Sequence, residues 1–145
     1  LFEGAHCGYM EAGVLLRRRV VALKPDIIVI CDEIIGNKKN ELSQHFAFSE
    51  DIDLKKEEGE LRGKGVKCEF VVKSFDEGGE VEQDIVTAKV SRHYNHIVES
   101  KALSLSTKAS HFLTTIIVKN HAGEKTVINK EKVYNLTNET VLKDD

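Results

Sequence analysis

Apolar and polar residues alternate with a period of two along most of this chain, and that spacing leaves few folds open to it. Successive side chains of an extended strand point to opposite faces, whereas the i, i+3, i+4 spacing of an amphipathic helix is nearly absent here. Leu42, Phe46 and Phe48 share one phase. Val66, Cys68, Phe70 and Val72 do the same with Lys67 and Glu69 in the other phase, which predicts a strand with one wet face. Residues 27–35 differ. Ile27-Ile28-Val29-Ile30-Cys31 is apolar at every position, which predicts a mid-sheet strand covered on both faces. Further β-branched runs at 81–90, 97–107, 112–118, 125–128 and 132–142 bring the expectation to about ten or more strands.

Turn residues separate these runs. Lys24-Pro25-Asp26, Gly36-Asn37-Lys38-Lys39, Glu58-Gly59, Asp76-Glu77-Gly78-Gly79 and Asn120-His121-Ala122-Gly123 each stand between two strand-like stretches. Consecutive strands are therefore expected as antiparallel neighbours, and the fold class as all-β: an antiparallel β-sandwich built largely as a meander. The charged run over 51–64 reads as a surface hairpin. With 145 residues the chain fits one β-sandwich domain, 1–145.

Composition narrows the function. A net charge of −3, from 21 basic and 24 acidic residues, does not suit a nucleic-acid binder, whose phosphate contacts need a basic surface. No apolar run is long enough to span a bilayer, so no membrane partner is expected. The opening Leu1-Phe2-Glu3 is read as the start of a fragment of a larger protein, from which localisation is not legible. Cys7, Cys31 and Cys68 are odd in number and lack CxxC spacing, so no disulfide framework is expected.

The residues most suggestive of chemistry cluster near the proline turn. If Lys24, Pro25 and Asp26 connect two strands, Leu23 faces Ile27, and counting outward sets Arg18 opposite Asp32 as a partly buried structural ion pair. An Arg held in this way is less free to take a sulfate or carboxylate of a ligand. Arg17 and Arg19 project from the other face, where two guanidinium groups two residues apart suit an acidic polymer, although a solvated charged face is the plainer reading. Among the six histidines only His93 and His96 lie close together. On a continuous extended segment their rings would point to opposite sides, so no metal site is expected. Tyr94 reads as a packed corner residue rather than an acid or base. Nucleophilic triads, phosphate loops and dinucleotide fingerprints are absent. Asn135-Leu136-Thr137 and Asn138-Glu139-Thr140 match glycosylation sequons, which matter only in a eukaryotic secretory setting.

The order of short motifs resembles the heparinase II/III-like polysaccharide lyases. In that family a segment ending in Gly-Tyr leads into a strand with a central Arg, then a turn and an apolar strand ending in Asp. Gly8, Tyr9, Arg18 and Asp32 stand at those places here. Ser91-Arg92-His93-Tyr94 is similar to the family's Ser-x-x-Tyr corner, and residues 112–117 to its late strand. Two positions depart from the pattern: Leu16 stands where the family often has His, and Asn95 where it commonly has Gly.

The resemblance implies a C-terminal β-sandwich that packs on an N-terminal α/α toroid of the same parent chain. Toroid and sandwich together would enclose a cleft for uronate-containing acidic polysaccharide, cleaved by β-elimination. The Tyr and His of that chemistry, and the family's metal ligands, match no position here. The expectation is a fragment with no catalytic residue, no metal and no cofactor, in which Arg17 and Arg19 contact substrate; the parent is expected to be secreted or periplasmic. Two other classes stay open. An independent carbohydrate-binding module would bind glycan alone, although the lack of Trp removes the usual stacking platform. An Ig-like interaction domain would show an exposed apolar patch and self-association.

Overall fold

In a computed structural model the described residues are 1–23, 26–36, 41–57, 60–107 and 112–119. Among them are eleven strands and a single 3-10 turn at Met10–Ala12. The strands are β1 (Phe2–His6), β2 (Val14–Leu23), β3 (Ile27–Gly36), β4 (Leu42–Ala47), β5 (Asp53–Glu57), β6 (Glu60–Lys64), β7 (Glu69–Asp76), β8 (Gly79–Glu80), β9 (Asp84–His93), β10 (His96–Thr107) and β11 (Phe112–Lys119). The fold is the antiparallel β-sandwich that the alternation predicts. Lys24, Pro25, Asn37 to Lys39, Glu58, Gly59, the runs at 125–128 and 132–142, His111, His121 and both sequons lie outside the described residues.

The larger sheet has eight strands in the order β1-β2-β3-β11-β7-β6-β5, with β8 beside β7; the smaller has the order β4-β10-β9. Two stretches are meanders, β1 to β3 and β5 to β8, but the chain crosses between sheets before β4, β5, β9 and β11. Local turns join only neighbours in sequence, so they carry no information about β11, which inserts between β3 and β7. Its sequence suits that place. Leu113, Thr115 and Ile117 face one side, Thr114, Ile116 and Val118 the other, and nearly all are buried.

Cross-strand partners share a face, so the register divides the core in two. Val14, Ile34, Leu54, Leu61, Phe70, Val72 and Leu113 of the large sheet pack against Leu42, Leu103 and Leu105 of the small one. On the opposite face of the large sheet Val21, Val29, Phe75, Ile116 and Val118 form a second cluster. The expectation of one wet face for β7 therefore fails: Phe70 and Val72 point inward, while Val71 and Phe75 are buried on the other side. Val66, expected in this strand, precedes it in a bend and is exposed. β3 does lie mid-sheet, although Ile28 and Ile35 near its ends are exposed. The charged run at 51–64 is a surface hairpin on one side only, because Leu54 and Leu61 turn inward. Gly63 is needed there: the Phe70 ring rests on it, and a Cβ would overlap that ring.

Candidate functional site

The pleat of β2 sends its three consecutive arginines to alternate faces. Leu23 pairs with Ile27, and from that register Arg18 faces Asp32, Arg17 faces Glu33, and Arg19 faces Cys31. Toward the sandwich interior, Arg18 Nε donates to Asp32 Oδ1 and Nη2 to Oδ2, both at 2.6 Å. This is a side-on, two-point pair. Asp32 is 1% exposed, while the Arg18 side chain is 47% exposed. Hydrogen bonding to Asp32, and then its charge, raises the Arg18 pKa above its ordinary value against the opposing cost of burial.

The pair is one end of a longer buried chain of hydrogen bonds. Gln44 of β4 donates through Nε2 to Asp32 Oδ2 at 2.9 Å and to the Leu113 carbonyl at 3.1 Å. Its Oε1 accepts from Thr115 Oγ1 at 2.6 Å. Thr115 Oγ1 lies 2.8 Å from Ser74 Oγ, which accepts from Gln83 Nε2 at 2.9 Å. Because a hydroxyl has one proton, these contacts fix a direction: Gln83 to Ser74 to Thr115 to Gln44 to Asp32. Every member is buried. The network ties β2, β3, β11 and β7 of the large sheet to β4 of the small one, in a low-dielectric interior where an unpaired polar group is costly. Sequence reading singled out Arg18 and Asp32 but missed Gln44, Thr115, Ser74 and Gln83. The signal for Gln44 was present, since it occupies the apolar phase of Leu42 and Phe46.

On the opposite face, Arg17 donates to Glu33 Oε2 through Nε at 3.1 Å and Nη2 at 2.5 Å. Arg19 Nη2 reaches the same oxygen at 3.5 Å, and Glu3 Oε1 stands 4.0 Å from Arg17 Nη1. Hydrogen bonding to Glu33 raises the Arg17 pKa. Two guanidinium groups thus share one carboxylate, and Arg19, held among the described residues by a single long contact, is the less committed of the two.

The histidine geometry corrects one expectation. The chain turns at Tyr94 and Asn95, with Asn95 at φ 60°, so His93 and His96 become cross-strand partners rather than neighbours on one extended segment. Partners share a side, and the two imidazoles therefore do not diverge as expected. Tyr94 is fully exposed at this tip, not packed in a corner. No group of three or more His, Cys, Asp or Glu able to hold a metal occurs among the described residues. All three cysteines are free thiols, Cys31 buried and Cys7 exposed. Among the described residues no helix is long and apolar enough to cross a membrane.

No family model matches the chain, and no curated protein does. Solved structures do. The chain resembles heparan sulfate lyase HepC from Pedobacter heparinus, with a TM-score of 0.63, 15% identity, and coverage of 79% of this chain and 19% of that one. A mutant of the same lyase gives a TM-score of 0.66 at 17% identity, covering 84% of this chain and 20% of that one. At such identities the likeness is one of fold, shared with part of a heparan sulfate lyase. The chain spans about a fifth of the length of these structures.

Proposed function

We propose that the chain is the non-catalytic, C-terminal β-sandwich portion of a heparinase II/III-like polysaccharide lyase, which cleaves uronate-containing acidic polysaccharide by β-elimination. The observation that carries this reading is the asymmetry of the fold match, which takes in most of this chain but only a fifth of the lyase. Base and acid must stand pre-positioned around one uronate for such an elimination. The longest run of linked polar groups, from Asp32 to Gln83, is instead buried and spent on itself, with Arg18 held to its Asp32 end. The catalytic groups accordingly belong to an N-terminal toroid of the parent chain, and 1–145 acts as one domain beside it. Arg17 and Arg19 are the candidate contacts to acidic sugar, the ligand competing with Glu33 for their donors.

The isolated chain, incubated with heparin, heparan sulfate or alginate, is expected to give no rise in the ultraviolet absorbance of unsaturated uronate, while the parent-length protein does. Turnover by the isolated chain would refute the reading. The fully exposed Tyr94 favours a second possibility, an independent sugar-binding module, because one aromatic face is free for stacking. Binding on a glycan array that is lost in Tyr94→Ala would support the module instead.

A further inference from the structure

The two sheets are badly matched in width, and the mismatch falls on one side. β4 is the edge of the three-stranded sheet and pairs only with β10 among the described residues. It lies over β3 and β11, where Gln44 reaches Asp32 and the Leu113 carbonyl. Beyond it the inner face of the large sheet continues across β2 to β1. By register that overhang carries Phe2, Val20 and Ile30 in one row and Ala22 and Ile28 in the next. Phe2 is 65% and Ile28 41% exposed, and Val20 and Ile30 are only half-buried. At the other end of the ledge a cavity of about 370 Å³ opens between Tyr9, Val14, Leu16 and Ile34 and the start of β4 at Glu41 and Ser43. Between the two apolar ends stands the exposed side of Arg18, whose Nε and Nη2 are taken by Asp32.

An apolar floor beside a strand edge with no partner among the described residues is the setting for strand addition: backbone groups pair with the edge while alternate side chains drop onto the floor. We infer that this ledge receives an extended strand from the remainder of the parent polypeptide, which pairs with β4 and widens the small sheet over β2 and β1. The inference rests on the lyase reading above, and the occupant follows from it. The matched lyases carry about four-fifths of their length outside the matched region, so companion chain is at hand. The incoming strand places apolar side chains over Phe2, Val20 and Ile28, and an acceptor, a carboxylate or a backbone carbonyl, over the donors of Arg18 that have no partner among the described residues.

Amide hydrogen exchange on the 145-residue chain and on the parent-length protein tests this. In the short chain alternate amides of Leu42 to Ala47 should exchange quickly, and in the parent at least about a hundredfold more slowly. The double variant Phe2→Asp, Ile28→Asp should leave the melting temperature of the short chain unchanged and restore fast β4 exchange in the parent. Equal β4 exchange in the two proteins would overturn the inference, as would slow exchange in the short chain that grows with its concentration, since a second copy would then be the occupant. Lyase assays on the same parent preparations keep the readings apart: an active parent with an open β4 edge sinks only the docking, and an inactive parent with a closed edge sinks only the lyase assignment.

Discussion

Arg17 and Arg18 are adjacent in sequence, pair with carboxylates of adjacent residues on β3, and differ in nearly everything that decides what a charge is for. Arg18 engages a carboxylate that is fully buried and already bonded to Gln44. Arg17 engages one that is partly exposed and shared with Arg19. The inner pair has nowhere else to go, because loss of either partner strands a buried polar group. The outer pair can be exchanged for another anion at little cost to folding. Identical ion-pair chemistry thus ties a buried network together on one face and holds a shared, partly exposed carboxylate on the other, the face proposed above for acidic sugar, and the pleat alone makes the difference.

The sharpest way to break that contrast is at its most connected residue. Gln44→Leu removes partners from Asp32, the Leu113 carbonyl and Thr115 at once, and should destabilise the chain by about 3 kcal/mol in denaturant unfolding. A loss below about 0.5 kcal/mol would mean the buried chain of hydrogen bonds contributes little. Thr115→Val alone should cost about 1–2 kcal/mol. Combined with Ser74→Ala and Gln44→Leu it should cost less than the sum, because groups that satisfy one another are then removed together.

How much of this could be read beforehand follows from the range of the physics involved. The pleat, the presence of strands on either side of Pro25 and the placing of Arg18 opposite Asp32 depend on counting along a few neighbouring residues, and the observed register has that pairing. The insertion of β11 between β3 and β7 joins residues some forty and eighty positions apart, which no local spacing encodes. Gln44 was visible as a polar residue in an apolar phase, but its partner Thr115, and Ser74 beyond it, come from strands brought together only by that long-range insertion. The error over His93 and His96 was of the opposite kind, a local turn at Tyr94 and Asn95 read as continuous strand.

Smaller effects are expected on the outer face. Glu33→Gln releases Arg17 and Arg19 from their shared carboxylate; heparin affinity should rise, and stability should change by no more than about 0.5 kcal/mol. Weaker heparin retention in this variant would remove both arginines as candidate contacts. The smallest effect concerns Asp53, where hydrogen bonds from Lys101 and Lys55 draw the carboxyl down to about 2. A carboxylate depressed on folding stabilises above its unfolded value and loses that contribution as pH falls through the folded one. Its tie to Lys101 of the small sheet should therefore hold at neutral pH and be released only near pH 2. Titration of Asp53 by NMR should show this, with Lys101→Met moving the midpoint upward.

The most direct test sets the unfolding free energy of Arg18→Met beside that of Arg17→Met under one set of conditions. Because Arg18 is half exposed, its loss should fall somewhat below the 3–5 kcal/mol of a fully buried pair, at about 2 kcal/mol, against about 0.5 kcal/mol for Arg17. Equal losses, or a larger one for Arg17, would contradict the division of β2 into an inner face whose ion pair supports the fold and an outer face whose ion pair does not.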